Sequence, residues 1–184
     1  MTARGNESAF VTPAAASLDA RALEQLYARL ERPVFNVVYR WLWSSDEARD
    51  VTQEAFLKLW SARERIEPST AEPLVFRTAL NLASNRLRSR RFWKLLGLGE
   101  AESEESPEPS APGARETEQR RRSVRRAIEA LPEKLKAVVV MCELSGLSYE
   151  QIAQSLKIPV GTVGSRRSAA MEKLALSLGP LEDA

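Results

Sequence analysis

The sequence predicts an all-α protein: two small helical domains joined by a flexible acidic linker, the second carrying a helix-turn-helix. Three observations point there. Apolar residues recur at three- and four-residue spacing along most of the 184 residues, with few glycines and scarcely any alternating pattern. Residues 97–118 hold Pro107, Pro109, Pro112 and Gly113 among glutamates, with almost no large apolar side chain to fold around. Residues 148–178 read as a short helix, a tight turn and a second helix.

In chain order, residues 1–17 are small and polar without periodicity and are expected to be a disordered extension. Domain one spans 18–96. Leu23, Leu26, Tyr27 and Leu30, then Val34, Val37, Val38 and Trp41, are helical in spacing, and Pro33 is expected to end or kink that helix. Ser44, Ser45 and Asp46 supply the next N-cap. The amphipathic helix that follows has Ala48, Val51, Ala55 and Leu59 on one side and Asp50, Gln53, Glu54 and Lys58 on the other. Residues 61–73, with two prolines, read as a loop, and a long helix runs from Leu74 to about Trp93. After the linker (97–118), domain two spans 119–179, with 180–184 as a tail. It opens with a helix through Val124, Ala127, Ile128 and Leu131, broken at Pro132. The next helix, Leu135 to Leu144, stops at the C-cap signal Ser145-Gly146.

The closing motif begins at Ser148, an N-cap with Gln151 three residues on, a capping box contributing about 1 kcal/mol. Ile152, Ala153 and Leu156 share one face, and small Ala153 permits a close crossing. Lys157, Ile158 and Pro159 form the turn, with Pro159 at or just before the new helix. Val160, Val163, Ala170 and Leu174 then define an inner face, so Thr162, Ser165, Arg166 and Ser168 point outward. Short hydroxyls and an arginine suit base edges and phosphates and offer nothing to a small-molecule reaction. An ordinary helical hairpin with a polar outer face is the plainer alternative.

A net charge of +2 conceals segregation. Residues 77–94 carry Arg77, Arg86, Arg88, Arg90, Arg91 and Lys94 without an acid, whereas residues 97–118 carry seven glutamates against Arg115 alone. Such asymmetry suits a nucleic-acid surface beside an acidic spacer. The 22-residue linker would reach about 70 Å stretched and about 26 Å as a coil. With no histidine and Cys142 as the one cysteine, an internal disulfide and a Cys/His zinc site are excluded, and no metal or cofactor is expected. Cys142 falls on the stripe of Leu135, Val138 and Val139 and reads as a buried structural thiol. No apolar run approaches the roughly 20 residues that span a bilayer. The segment 9–18 lacks the features of a signal peptide, so a cytoplasmic protein is expected.

Four arginines within 86–91 exceed what the end of a helix needs and are read as phosphate contacts. Asn81 and Asn85, one turn apart, are either base-contacting or ordinary surface amides. Trp41, Trp43 and Trp60 read as packing aromatics; Trp93, beside Arg91 and Lys94, is the one placed near nucleic acid.

Together these segments resemble the extracytoplasmic-function (ECF) sigma factors of bacterial RNA polymerase. EARDVTQEAFLKLW (47–60) is similar to the family's polymerase-clamp-binding segment. PLVFRTALNLASNRLRSRR (73–91) is similar to its promoter-melting, −10-reading helix, and residues 130–174 to its −35-reading domain. The resemblance implies core polymerase binding through Asp50, Gln53, Glu54 and Lys58 on the clamp of the largest subunit. It implies −10 contacts from Asn81, Asn85, Arg86, Arg88, Arg90 and Arg91. It implies −35 contacts from Pro159, Gly161, Thr162, Ser165, Arg166 and Ser168. Partners would be core polymerase, promoter DNA and an anti-sigma factor; there would be no small-molecule substrate and no bond chemistry. The loop 61–73 would rim a pocket for an extruded −10 base. Four departures from the family pattern stand out: Leu74 and Val75 where an aromatic is usual, leaving Phe76 to serve; Lys157 where glycine is frequent; Gly164 where a basic residue is frequent; and Arg167 at an aliphatic place. By spacing, Arg167 lies on the inner face and should find Glu143 or Glu150. The alternatives are a stand-alone helix-turn-helix regulator, for which no ligand or phosphorylation domain is visible, and a recombinase, for which the leading half lacks a catalytic fold.

Overall fold

A computed structural model describes residues 18–97 and 114–179. The expected N-terminal extension, the tail and most of the linker lie outside the described residues. Among the described residues there are helices and no strands: α1 (Ala20–Leu42), α2 (Ser45–Ala62), a 3₁₀ turn (Arg63–Arg65), α3 (Pro68–Leu95), α4 (Ala114–Glu129), α5 (Glu133–Leu144), α6 (Tyr149–Leu156) and α7 (Val160–Leu178).

Local chemistry fixes the ends. Asp19 caps α1 by accepting from the Ala22 N–H at 2.6 Å, and Trp43 ends it in a left-handed conformation, φ 55°. Ser44 caps α2, accepting from the Glu47 N–H. Both groups of the capping box at Ser148 are made: Gln151 N–H to Ser148 Oγ, and Ser148 N–H to Gln151 Oε1 at 2.9 Å.

Neither Pro33 nor Pro73 ends a helix. Pro33 lies inside α1, which continues to Leu42, because Leu30, Val34, Val37, Val38 and Trp41 bury one stripe across it. The expected loop 61–73 is mostly helix. α2 extends to Ala62, and α3 begins at Pro68, where a missing N–H leaves no bond unmade. Pro73 sits in the second turn of α3, losing one intrahelical bond while its ring is buried beside Ala71, Val75 and Phe76. The connection shrinks to Ile66 and Glu67, so the proposed base-pocket rim there is withdrawn as a loop. Likewise α4 starts at Ala114, so the last five residues of the stretch read as linker are helical.

α1, α2 and α3 pack mutually; α4, α5 and α6 all pack on α7. The two groups are not apart. α1 lies on α5 and α3 lies on α6, and buried residues from both halves form one continuous core. Across this seam Ser155 Oγ donates to the Pro73 carbonyl at 2.9 Å and Lys136 Nζ to the Trp41 carbonyl at 3.3 Å.

Candidate nucleic-acid interface

Three surfaces hold the candidate residues. The first is the outer face of α7. Pro159 precedes the helix as its N-cap, and Gly161, Ser165 and Ser168 are exposed, with Thr162 and Arg166 half-buried. Ser165 Oγ donates back to the Thr162 carbonyl at 3.2 Å. Arg166 makes no ion pair or hydrogen bond among the described residues, so its guanidinium is available to a ligand. Its neighbour Arg167 is committed: Nε and one terminal nitrogen donate to Glu143 Oε1 on α5 at 3.0 and 2.8 Å. Glu143, not Glu150, is thus the carboxylate partner, and the hydrogen bond from Arg167 to it raises the guanidinium pKa further. Lys157 takes φ 54° in the turn, a left-handed conformation that favours glycine. Gly164 has room for a side chain, since an added Cβ would meet only Tyr149 Cε2 at 3.9 Å.

The second surface is the C-terminal half of α3. Asn81 and Asn85 are exposed, and Asn85 Oδ1 accepts from Arg88. Arg91 is exposed. Phe92 and Trp93 are exposed too, edge-to-face at 5.7 Å between centroids. Arg90 departs from expectation. It is turned inward, pairing with Glu47 of α2 and donating to the Leu42 carbonyl at the end of α1 at 3.4 Å. It holds three helices together, and phosphate contact by Arg90 is withdrawn. Arg86 is also partly engaged, 3.6 Å from Asp50. Phe76 is fully buried, so it cannot stack on a base in this arrangement.

The third surface is the outer face of α2. Asp50, Gln53 and Lys58 are exposed and Glu54 is half-buried, with Lys58 3.4 Å from Glu54. Sequence reasoning placed Trp60 in the core; it is 42% exposed, and with Leu57 at 57% it forms an apolar patch beside Gln53. Gln53 and Leu57 fall two positions, and Trp60 one position, past Val51, Ala55 and Leu59 of the buried stripe, which was the signal. The Arg63 guanidinium lies 4.2 Å over the Trp60 ring.

Burial raises the pKa of the half-buried Cys142, leaving a protonated thiol suited to packing. No helix among the described residues is long and apolar enough to cross a membrane.

Two family models match in order: Sigma-70 region 2 over residues 26–92 and Sigma-70 region 4 over 121–174. The chain is 37% identical over 172 residues to the ECF RNA polymerase sigma-E factor of Escherichia coli K12, covering 89% of this chain and 90% of that one. It is 33% identical over 178 residues to the RNA polymerase sigma-H factor of Pseudomonas aeruginosa, covering 89% of each. The chain belongs to the ECF sigma factors of the sigma-70 family. This sigma factor therefore binds core RNA polymerase and directs it to promoter DNA, which sets aside the stand-alone regulator. Solved structures agree on the fold. RpoE of Bartonella quintana, in complex with the anti-sigma factor NepR, superposes with a TM-score of 0.67 at 20% identity, covering 88% of this chain and 99% of that one. CnrH, in complex with the cytosolic domain of CnrY, gives 0.64 at 22%, covering 87% and 89%.

Proposed function

We propose a division of labour among the three surfaces. The module at 18–96 docks on the clamp of the polymerase's largest subunit through Asp50, Gln53, Glu54 and Lys58, with Leu57 and Trp60 as the apolar centre. Asn81, Asn85, Arg86, Arg88 and Arg91 then meet the −10 strand. The module at 119–179 lays α7 in the −35 major groove, with Thr162, Ser165, Arg166 and Ser168 at base edges and phosphates and Pro159 and Gly161 at the entry. The observation that carries this reading is the pairing pattern on α7: Arg167 is neutralised by Glu143 while Arg166, one residue away, is left without a partner beside three hydroxyls.

The work is differential binding. Contacts available only to separated strands shift the duplex toward the open state, and the protein itself breaks no bond. A cytoplasmic location fits this role. The complex of RpoE with the anti-sigma factor NepR supports an anti-sigma partner for this chain as well. Transcription in vitro with purified core polymerase tests the assignment. Arg166→Ala should weaken −35-dependent initiation by about 1–3 kcal/mol and relax discrimination at the bases it reads. Asp50→Ala and Trp60→Ala should weaken core association while leaving the helix content unchanged. If Arg166→Ala initiates normally from −35-dependent promoters, the α7 assignment fails.

A further inference from the structure

The last turns of α3 leave four large apolar side chains in water: Phe92, Trp93, Leu95 and Leu96 are each about half exposed or more. Apolar surface gathered in this way marks a place of contact. Helical periodicity shows which face it continues. Asn81, Asn85, Arg88, Phe92 and Leu95 follow one another at steps of four, three, four and three residues, so they form one stripe along the helix. All five are exposed. The flanking faces are taken: Arg86 and Arg90 turn to Asp50 and Glu47 of α2, and Ser84 Oγ donates to Glu133 Oε1 of α5 at 3.2 Å.

The stripe is cationic as well as apolar. Arg88 donates to Asn85 Oδ1 and to the Ser84 carbonyl, both uncharged acceptors on its own helix. Arg91 and Lys94 are exposed on either side of Phe92 and Trp93. The positive field reaches α5, where Lys136 is brought down to about 8 from 10.5, by burial first and with the Arg91 charge adding to it. Three cations around two aromatic rings suit a polyanion that also offers flat apolar faces. A separated nucleic-acid strand is such a ligand, whereas a duplex hides its base faces within the stack. Phe76, the third aromatic of α3, is fully buried, so Phe92 and Trp93 are the rings of this helix that can reach a base. They hold each other edge to face, centroids 5.7 Å apart and planes at 73°, which orients Phe92 without burying it.

We propose that Phe92, braced by Trp93, stacks on an unpaired base of the separated promoter strand, at the far end of the stripe that begins with Asn81 and Asn85. The proposal rests on the assignment of that stripe to the −10 strand. Phe92 lies seven residues beyond Asn85, about 10 Å along the helix axis. At about 3.4 Å per nucleotide, some three nucleotides separate the base it covers from the one that Asn85 meets. Arg88 and Arg91 are placed for the phosphates between. Inside a duplex both faces of a base are covered by its neighbours, so this contact exists only after the strands part. Phe92 therefore favours the open promoter over the closed one, and does so without reading sequence, because every base has a π face.

The test uses holoenzyme assembled from core polymerase and the full chain, on forked promoter DNA whose −10 strand is unpaired. 2-Aminopurine, a base whose fluorescence is quenched by stacking, replaces each unpaired base in turn. The wild type should quench it at one position, and Phe92→Ala should restore the emission there. Phe92→Ala should bind the fork about tenfold more weakly, with the slope of log affinity against log salt unchanged. Phe92→Trp should keep quenching and affinity; Phe92→Leu should lose both. Because the side chain is exposed, Phe92→Ala should melt within about 1 °C of the wild type, which separates lost stacking from lost folding. Wild-type quenching and affinity in Phe92→Ala would overturn the proposal. Full affinity in Phe92→Leu would overturn it too, by making the surface an apolar dock. Weaker association of Phe92→Ala with core polymerase in the absence of DNA would give the ring to the polymerase instead. Phe92-dependent binding of the free chain to phosphatidylglycerol vesicles, with fork binding intact, would give it to a lipid surface. Asn85→Ala and Arg91→Ala are measured on the same forks. If both bind like the wild type, the −10 assignment of α3 fails; if they bind more weakly and Phe92→Ala does not, stacking alone fails.

Discussion

Arg90 and Arg91 are adjacent, alike in sequence context and opposite in expected behaviour, which makes them a sharp test of how α3 is used. Arg90 donates two nitrogens to Glu47 and a third contact to the Leu42 carbonyl, with side-chain exposures of 30% and 28% for the pair. Hydrogen bonds to charged groups contribute about 1.5–3 kcal/mol each when buried, and partial exposure here reduces that, so Arg90→Ala should cost about 2 kcal/mol in total. For a chain of this size, that is a fall in Tm of about 4–8 °C. Arg91 is exposed, so Arg91→Ala should leave Tm within about 1 °C. Removing one phosphate contact lowers the slope of log affinity against log salt by about 0.7 for a single strand to 0.9 for a duplex. The assay is therefore a pair of measurements on each variant: thermal denaturation of the free protein, and salt-dependent binding of holoenzyme to a −10 fork. Arg90→Ala should move the first and not the slope of the second; Arg91→Ala should do the reverse. If Arg90→Ala melts like the wild type and loses a full phosphate from the slope, the inward placement of Arg90 is wrong.

Other consequences follow from the helix-turn-helix backbone and from Lys136. Lys157→Gly should stabilise the C-terminal half by about 1 kcal/mol, because φ 54° costs a side chain what glycine does not bear, read as a higher urea midpoint at unchanged m. Gly164→Ala should stabilise by about 1 kcal/mol as well, since the helix gains propensity and the new methyl meets only an ordinary contact with Tyr149; a lower melting temperature would count against it. Stability of the whole protein should rise between pH 8 and 9, because the unfolded chain still binds the Lys136 proton that the folded one has released, and Lys136→Met should abolish that rise.

What could be read from sequence was what depends on neighbours along the chain. The capping box at Ser148, the α7 N-terminus at Pro159 and the burial of Val163 and Ala170 are all set within a few residues, and each is found as expected, whereas Val160, assigned to the same inner face, is 42% exposed in the first turn of α7. Arg167 was legible for the same reason: a charge at an inward position of an amphipathic helix demands a carboxylate, and Glu143 supplies it. The proline readings went too far, because a proline's local penalty is a few kcal/mol and the buried stripes flanking Pro33 and Pro73 outweigh it.

The arginine cluster shows the deeper limit. Residues 77–94 contain no acid, and by that count Arg86, Arg88, Arg90 and Arg91 all looked free for phosphate. In the folded chain Glu47 and Asp50 stand opposite Arg90 and Arg86, brought there by the antiparallel return of α3 along α2. Charge balance in a helical bundle is settled across the bundle, at separations of 36 and 43 residues, not within a window. The same holds for the seam. Lys136, Ser155 and Ser84 carry no local sign of a distant partner, because each sits on an ordinary amphipathic helix whose period explains its position without reference to the other half. Only the meeting of two apolar faces in space gives them their partners.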